Sequence, residues 1–429
     1  MNDGYASIER MFHMSDSSER AQEFAEREYL NRLNGYSTFR TGVELDGHEV
    51  FALAFRELQT QMDAIRDREL VIADLWRGVP ARGKGLVLYE LIAAEIVQTN
   101  SIEGIHTTRR EVDEAFAARA DESSHKRLVE FVRLYVELVA KETAEMLAPM
   151  GVKVTDERGV VAMPTTLAGI RELYDRVTAG EIDAKDLPDG ELFRSGTTGI
   201  YDGAGRLVRQ GAATESQIQV LLTQWLQLAA NDNIPIVLRA CLCHYIFESI
   251  HPFYDGNGRT GRFLLALQLR DHLSLPTTLS LSAAIERQKA KYYKAFDETA
   301  KPLNCSDASL FCMTMVELIR DAQETLIGEL QEHDGAMRRS RGVLDEMVAG
   351  GEISALQRKI LEWLAQTEMY SSEVATITRT ETRETLGVGE DRAVRVLEGL
   401  VDAGMLIRSG ARPIKYALSD EMRERLLVE

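Results

Sequence analysis

The sequence has few cysteines and no long apolar run. Four cysteines (Cys241, Cys243, Cys305 and Cys312) are too few for a disulfide framework in a chain of 429 residues, and none forms a C-x-x-C pair, so a reducing compartment fits best. No segment approaches the roughly 20 apolar residues of a membrane helix, and the N-terminal residues lack the basic and then apolar regions of a signal peptide. These absences favour a soluble, cytoplasmic protein without membrane contact.

The sequence also lacks an excess of basic charge. It has 50 Lys and Arg residues against 68 Asp and Glu residues, a net charge of −18, which disfavours a protein that coats nucleic acid with its whole surface. Any such contact must be local. The hydrophobic content of 45% is typical of globular proteins, and the length favours two or three domains.

Strand-like alternation is scarce, and helical periodicity dominates. Residues 1–50 are polar and indicate no clear element. Helices are predicted over 50–75, 86–100, 125–147, 166–177, 215–230, 235–250, 258–273 and 306–332. Residues 192–211 interrupt this pattern, because β-type residues flank Asp202–Gly205, a turn sequence typical of a hairpin. The predicted fold class is therefore mainly α with one β-hairpin.

The C-terminal residues predict a separate domain. Charge and glycine replace the apolar periodicity over 332–352, which indicates a linker or a helix that frays into one. A helix at 354–366, a short helix at 371–378, a longer helix at 390–404 and a two-stranded wing at 405–418 follow. This order resembles a winged helix-turn-helix domain, although residues 379–389 make the connection to the third helix unusually long.

The charge of this C-terminal part leaves its partner open. Residues 351–429 contain 11 Lys and Arg and 14 Asp and Glu, which gives 11 − 14 = −3 and is unfavourable for DNA binding. A local basic stripe is still available from Arg392, Arg395, Arg408, Arg412 and Lys415. Contact with DNA and contact with protein both stay open.

One short stretch, residues 251–262, reads HPFYDGNGRTGR and combines a histidine, an acid, three glycines and two arginines. Pro252 disfavours helical geometry for His251, so the preceding apolar helix should end at this histidine. The glycines on either side of Asn257 permit a tight turn, after which a helix continues with an apolar face. Phe263, Leu264 and Leu267 form that face. A glycine-flanked turn that opens a helix favours anions, because free N–H groups and the helix dipole point at them.

The charged side chains on this turn suit a phosphate ligand. Arg259 and Arg262 lie three residues apart and rise from one face, and two bidentate cations suit a polyphosphate better than a single carboxylate. Asp255 is a natural Mg²⁺ ligand beside phosphate oxygens. His251, with an ordinary pKa of about 6.5, can accept a proton from a hydroxyl. Alone, the arginines could simply pair at a helix start and the histidine could be a packed core residue, but the combination predicts a phosphate-transfer site.

The stretch resembles the signature of the Fic family, H-x-F-x-D/E-G-N-G-R-x-x-R, at every fixed position. The resemblance covers roughly residues 90 to 300. It implies a Fic-type helical core that moves AMP from ATP to a Ser, Thr or Tyr hydroxyl of another protein, with ATP and Mg²⁺ as cofactors. It also implies that His251 is the general base and that Asp255 holds Mg²⁺.

The same resemblance assigns further residues. Those implied at the nucleotide are Gly256, Asn257, Gly258, Arg259, Gly261, Arg262 and Tyr293, with Tyr293 bordering the adenine. Phe253 should anchor the loop in the core. The hairpin resembles the family's flap, whose edge, with Thr197, Thr198 and Gly199, should hold the target segment by strand addition.

A second motif lies upstream, in TNSIEG (Thr99–Gly104). It resembles the family's inhibitory motif S/T-x-x-x-E-G/N, which implies that Glu103 reaches Arg262 and takes the place of the γ-phosphate. The alternative is that a glutamate before a glycine marks an ordinary helix C-terminus.

Two other motifs point elsewhere but are weak. CLCH (Cys241–His244) lies on a predicted helix, where residues two apart face different directions, so core packing is favoured over metal binding. GVPARGKG (Gly78–Gly85) resembles a P-loop, but Gly85 stands where Ser or Thr would bind Mg²⁺, and a helix rather than a strand precedes it.

These observations predict four regions: an N-terminal helical region with the inhibitory motif (1–110), a Fic core (111–335), a linker (336–352) and a winged helix-turn-helix domain (353–429). The predicted function is a protein adenylyltransferase autoinhibited by Glu103. The alternatives are a DNA-binding regulator whose Fic domain senses nucleotide, or a Fic enzyme that transfers another phosphate-containing group or removes AMP. The target protein is not defined by the sequence, and a homodimer stays open.

Overall fold

The computed structural model describes residues 4–15, 20–119, 121, 127–147, 160–201, 207–371 and 374–428. Within these ranges the chain is mainly helical and has three small antiparallel sheets. It divides into two compact units. The first contains Met1–Leu70, Leu91–Ala144 and Val154–Thr325, and the second contains Val71–Glu90, Glu145–Lys153 and Leu326–Glu429.

The first unit begins with two helices and a hairpin. Helices α1 (Ile8–Met14) and α2 (Ala21–Leu33) precede strands β1 (Thr38–Leu45) and β2 (His48–Leu53), which pair antiparallel. The prediction of a helix from Val50 was therefore wrong over its first residues, because Val50, Phe51 and Ala52 are all buried in a strand. The turn at Asp46-Gly47 has positive φ at both residues, and Asp-Gly between β-type residues is a hairpin signal.

Five helices follow, and the predicted helices in this part are confirmed with shifted ends. They are α3 (Arg56–Gly78), α4 (Ala81–Ile102), α5 (Arg109–Ala118), α6 (Val129–Leu147) and α7 (Leu167–Val177). Glu103 and Gly104 lie directly after α4. Gly83 and Gly85 are inside α4, which agrees with the rejection of a P-loop.

The predicted hairpin is confirmed, with its turn Asp202–Gly205 outside the described residues. Strands β3 (Gly199–Tyr201) and β4 (Leu207–Gln210) pair Gly199 with Gln210 and Ile200 with Arg209. The helices after it are α8 (Glu215–Ala229), α9 (Ile236–Ile250), α10 (Asn257–Leu269), α11 (Leu275–Thr278), α12 (Leu281–Arg287) and α13 (Lys289–Ala300). Helix α9 has buried residues on all sides, because α8 and α10 pack against it.

Helix α14 (Ser309–Ala349) runs through most of the segment predicted as a linker. The predicted break is absent because Met337, Leu344 and Met347 recur at helical spacing and are buried. Gly342 meets no neighbouring atoms where a side chain would project, so the glycine lies on an open face. The boundary between the two compact units falls inside this helix, after Thr325.

The second unit contains α15 (Ala355–Tyr370), β5 (Ile377–Thr378), α16 (Arg379–Leu386), α17 (Glu390–Asp402), β6 (Leu406–Ser409), β7 (Lys415–Leu418) and α18 (Asp420–Leu427). The strand order is β5-β7-β6. The predicted short helix at 371–378 was wrong, since Ile377 and Thr378 form a strand and the helix follows them. Thr378 and Glu381 form a capping box at its start and Gly387 ends it in the left-handed region.

Among the described residues, no helix combines the length and apolar character needed to cross a membrane.

Candidate active site

His251 lies at the C-terminal end of α9, as Pro252 predicts. Its φ of 53° and ψ of 64° place it in the left-handed region, and its N–H donates to the carbonyl of Phe247 at 3.0 Å. The fully buried Arg194 donates to the carbonyl of His251 at 2.8 Å and to that of Ile250 at 3.3 Å. Arg194 therefore satisfies carbonyls at the end of α9 and fixes the backbone that carries the imidazole.

The turn between α9 and α10 is shaped by Gly256, Asn257 and Phe253. Gly256 has a φ of 84°, and a Cβ there would lie 2.6 Å from the methyl group of Thr178, so this position requires glycine. The Asn257 amide accepts from the N–H of Phe253 at 3.0 Å and donates to its carbonyl at 2.8 Å. Phe253 is fully buried and stacks on Tyr174 with centroids 3.6 Å apart, which confirms the predicted anchor.

A cavity of about 330 Å³ opens beside this turn. The structure brings together around it these predicted residues: Glu103, Thr198, Gly199, His251, Gly258, Arg262 and Tyr293. The predicted residues that do not line it are Thr197, Asp255, Gly256, Asn257, Arg259 and Gly261. His251, Arg262 and the edge of the β3–β4 hairpin therefore share a cavity, while the other signature residues build the turn behind it.

Arg262 is held from two sides. It is 3% exposed, and it donates from Nε to the Thr99 hydroxyl at 2.7 Å and from a terminal nitrogen to the Thr99 carbonyl at 2.9 Å. The same terminal nitrogen lies 2.7 Å from a carboxylate oxygen of Glu103. The contact expected between Glu103 and Arg262 is therefore present, and Thr99 orients the guanidinium independently of it.

The Glu103 carboxylate lies over the first turn of α10. A Cβ built on Gly258 would overlap its Oε1, so the carboxylate fits only because residue 258 has no side chain. Around it, the Tyr293 hydroxyl donates to the carbonyl of Ile102 at 3.1 Å, and Ser101 donates to Glu286 at 2.9 Å. These contacts fix the end of α4 without using the Glu103 side chain.

Arg259 has a different environment from Arg262. It is fully buried and forms an ion pair with Glu181, which also accepts from Arg127 at 2.8 Å. Asp255 approaches Arg259 only to 3.9 Å, is 49% exposed, and accepts from the N–H of Gly256 at 2.6 Å. The two arginines of the signature thus have separate acidic partners in this conformation.

The imidazole of His251 is neutral near pH 7. Burial lowers its pKa to about 4, against the opposing effect of the Glu248 carbonyl. Nδ1 lies 3.3 Å from that carbonyl oxygen, and because a carbonyl can only accept, Nδ1 carries the proton. Nε2 therefore keeps its lone pair and is the atom that can act as a base.

Glu248 is a second carboxylate at the cavity, and the sequence analysis did not identify it. Its Oε1 is buried without a hydrogen-bond partner and lies where a Cβ on Gly261 would project. Burial and then the charge of Glu103 raise the pKa of Glu248 to about 8, so this group is mainly protonated at neutral pH. Its spacing of three residues from His251 is the one signal that could have indicated it.

Other supporting residues were also missed. Arg194 and Glu181 contact the signature from distant parts of the chain, and no local pattern marks them. Thr99 begins the TNSIEG motif, so its contact with Arg262 could have been anticipated from the motif's first position.

The hairpin edge next to the cavity is defined by its register. The carbonyl of Thr198 accepts from the N–H of Gly211 at 3.0 Å. Residues 199 and 210 are the next pair, and since hydrogen-bonded and non-hydrogen-bonded pairs alternate, the N–H of Gly199 points away from β4. Thr197 is exposed. On β4, Arg209 pairs with Asp46 of the β1–β2 turn at 2.8 Å.

Comparison with known proteins finds similarity over part of this chain. Residues 164–269 match the Fic/DOC family. The protein named "Protein adenylyltransferase Fic" from Drosophila grimshawi is 31% identical over 134 residues, which cover 31% of this chain and 25% of that protein. The protein of the same name from Drosophila ananassae is also 31% identical over 134 residues, with 24% of its length covered. The chain thus spans about a quarter of the length of these relatives.

Among solved structures, a Fic family protein from Desulfovibrio desulfuricans is 18% identical, with a TM-score of 0.45, and 83% of this chain and 96% of that chain are covered. The segment that matches the Fic/DOC family, residues 164–269, carries His251, the turn at Gly256 and the start of α10.

Proposed function

We propose that this protein is a protein adenylyltransferase that moves AMP from Mg-ATP to a Ser, Thr or Tyr hydroxyl of a target protein. The observation that carries the proposal is the cavity itself, which places the lone pair of a neutral histidine, a buried arginine and a hairpin edge together. The names of the Drosophila relatives support the same activity.

In the proposed reaction the target hydroxyl oxygen attacks the α-phosphorus of ATP in line. His251 accepts the hydroxyl proton at Nε2, the bond from the α-phosphorus to its bridging oxygen breaks, and pyrophosphate leaves. Arg262 and the free N–H groups at the start of α10 stabilise the negative charge of the phosphates. Most of the rate enhancement over the uncatalysed reaction then comes from positioning and charge stabilisation, as in other phosphoryl transfers.

Asp255 is the proposed Mg²⁺ ligand. A single, half-exposed carboxylate on the turn fits Mg²⁺, which commonly binds one or two carboxylates and completes its shell with phosphate oxygens and water. When bound, Mg²⁺ would neutralise phosphate charge. The protein's own contribution is to hold the carboxylate through the N–H of Gly256.

Glu103 is the proposed inhibitor. Its carboxylate pairs with Arg262 and fills the space above Gly258, so a γ-phosphate that needs the same arginine meets both a blocked donor and a repelling charge. Displacement of Glu103 would leave Arg262 oriented by Thr99 and ready to bind phosphate.

The hairpin is the proposed docking edge for the target. The outward N–H of Gly199 offers a backbone donor to an extended segment, which would add a strand beside β3. Thr197 and Thr198 would flank this contact. Such backbone pairing would place a target side chain beside the cavity and would depend little on the sequence of the target segment.

Residues 353–429, within the second unit, are the proposed winged helix. Their order of helix, strand, two helices and two strands is that of a winged helix-turn-helix. Helix α17 begins with Glu390 and Asp391, and Arg379 and Arg408 both lie within 3.4 Å of Glu398. This compensation of basic charge favours a protein partner over DNA.

Labelled ATP tests the proposed activity. The 429-residue chain and its Glu103→Gly variant would be incubated with a lysate and ATP labelled at either the α or the γ phosphate. Transfer of α label alone supports adenylylation. Transfer of γ label, or no transfer by either protein, contradicts it.

A further inference from the structure

A cluster of three possible metal ligands lies in the first unit, outside the candidate active site. The three are Glu26 on α2, His48 at the start of β2 and Cys305 in the loop before α14, and one ligand atom of each lies within 4.8 Å of the others. They line a cavity of about 300 Å³. Three segments far apart in sequence thus place an oxygen, a nitrogen and a sulfur ligand at one point.

We propose that Glu26, His48 and Cys305 bind one zinc-class transition metal ion, with water in the fourth position. Zinc takes sulfur, imidazole nitrogen and carboxylate oxygen in tetrahedral geometry, whereas Mg²⁺ and Ca²⁺ prefer oxygen ligands alone. A ligand set that includes a thiolate therefore selects the softer metals.

The spacing of two of the three ligand atoms is already close to this geometry. His48 Nε2 is 2.9 Å from a Glu26 oxygen, close to the spacing of roughly 3.3 Å between two ligands about 2.0 Å from one tetrahedral ion. Tyr29 packs edge-on against the His48 ring with centroids 4.8 Å apart and restricts its orientation. Glu26 is 48% exposed and is free to turn toward the ion, while Cys305 is 3% exposed and forms the inner wall.

The surrounding charges leave room for a divalent cation. Asp46 and Lys301 also line the cavity, and each already has a partner of opposite charge: Asp46 pairs with Arg209, and Lys301 pairs with Glu9. A bound M²⁺ would be neutralised by the Glu26 carboxylate and the Cys305 thiolate. Burial and nearby carboxylates raise the pKa of the free Cys305 thiol to about 11, so binding must release its proton to solvent.

The ion would also connect the β1–β2 hairpin to the candidate active site. His48 is two residues from Asp46, which holds Arg209 of the flap, and Arg209 lines both cavities. Fixing His48 would restrain the β1–β2 turn and, through that ion pair, one strand of the flap. The proposed site is thus a structural one, which would hold one strand of the β3–β4 hairpin through Asp46 and Arg209.

Cobalt titration of the reduced, metal-stripped 429-residue chain tests the proposal. Co²⁺ bound by a thiolate gives a sulfur-to-metal charge-transfer band in the near ultraviolet, which oxygen and nitrogen ligands do not produce. We expect one Co²⁺ per chain with this band, displaced by one Zn²⁺. Cys305→Ser should abolish the band, and His48→Gln and Glu26→Gln should each weaken binding by at least about tenfold.

Two matched variants control for general effects of the substitutions. Glu23→Gln removes an exposed carboxylate one turn earlier on α2, and His13→Gln removes an exposed imidazole on α1; both should bind cobalt like wild type. No charge-transfer band, or a band that persists in Cys305→Ser, would overturn the proposal, as would equal binding by His48→Gln. Because His48 is partly exposed, its variant tests the site even if Cys305→Ser folds poorly. No ATP is present, so the result is independent of the proposed transferase activity.

Discussion

The proposed inhibitory role of Glu103 predicts that replacing it by glycine raises the rate of the proposed AMP transfer. The change removes the carboxylate that lies 2.7 Å from Arg262 and empties the space above Gly258. Since Thr99 still accepts two hydrogen bonds from Arg262, the guanidinium should keep its orientation. The end of α4 should also stay in place, because the contacts of Ser101 and Tyr293 do not involve the lost side chain.

The magnitude follows from the contact that is lost. A hydrogen bond between charged groups contributes about 1.5–3 kcal/mol, and each 1.4 kcal/mol is about tenfold in binding. Because Arg262 is 2% exposed and Glu103 is 28% exposed at the side chain, solvent screens the pair only in part. We therefore expect productive ATP binding, and with it the initial rate of AMP transfer at limiting ATP, to rise by about 10- to 150-fold.

The assay is incorporation of α-labelled AMP into the protein itself and into lysate proteins. Glu103→Gln is the matched variant, since it keeps the shape and an acceptor oxygen but removes the charge, and it should fall between wild type and Glu103→Gly. The double variant Glu103→Gly with Arg262→Ala should be inactive. Equal labelling by wild type and Glu103→Gly would refute the inhibitory role, and an active double variant would refute the role of Arg262.

Four further predictions use the Glu103→Gly background or the folded protein itself. His251→Ala should lower AMP transfer by about 10²- to 10⁴-fold with ATP affinity kept. The pKa of His251 is about 4 when Glu103 is present, and it should not be higher in Glu103→Gly, because the lost carboxylate was one of the groups that raised it. Protonation of His251 should therefore lower the rate of Glu103→Gly only as pH approaches 4; a half-loss near pH 6.5 would contradict this. Gly199→Pro removes the outward N–H and should reduce target labelling while ATP binding persists, whereas a parallel loss of ATP affinity would make the hairpin a nucleotide lid. Glu248→Gln should stabilise the fold at alkaline pH. The pKa of Glu248 is about 8 in the folded protein against the ordinary 4.5, so its carboxyl opposes folding increasingly as pH rises between these values. Because Glu248 keeps partial solvent contact, the free energy of chemical unfolding at pH 8.5 should rise by about 1–3 kcal/mol, with no rise near pH 4 as the internal control.

Local rules predicted the parts of the site that depend on neighbouring residues. Pro252 fixed the end of α9, and the signature glycines predicted the turn before α10. The helix end and the turn are short features, in which each residue's conformation is largely set by the next few residues. The contact of Glu103 with Arg262 joins residues far apart in the chain, and only the family resemblance implied it.

Features that depend on distant partners were not predictable in this way. Arg259 and Arg262 are both arginines of the same short stretch, yet Arg259 pairs with Glu181 in the conformation described. The choice of partner depends on how α7 and α10 pack. The run from Val50 reads equally well as a buried strand or a buried helix. Only its pairing with β1 decides between them.

The C-terminal unit shows the opposite error, in which a local signal was present and overlooked. Thr378 and Glu381 form a capping box, so the supposed long connection was itself a helix. With α16 at 379–386, the spacing to α17 becomes short and agrees better with a helix-turn-helix. The error arose because the residues before the cap were themselves assigned to a short helix, 371–378, although the helix begins only after Thr378.

Residue 258 is a glycine, and its lack of a side chain affects how quickly the cavity can be cleared. The Glu103 carboxylate occupies space that a Cβ on Gly258 would fill, so clearing the space requires rotation of one side chain and no movement of the α10 backbone. Rotations of partly exposed side chains take picoseconds to nanoseconds, whereas hinge motions of domains take microseconds to milliseconds. Breaking one ion pair, rather than rearranging a domain, would therefore set how quickly this cavity can exchange a carboxylate for a phosphate.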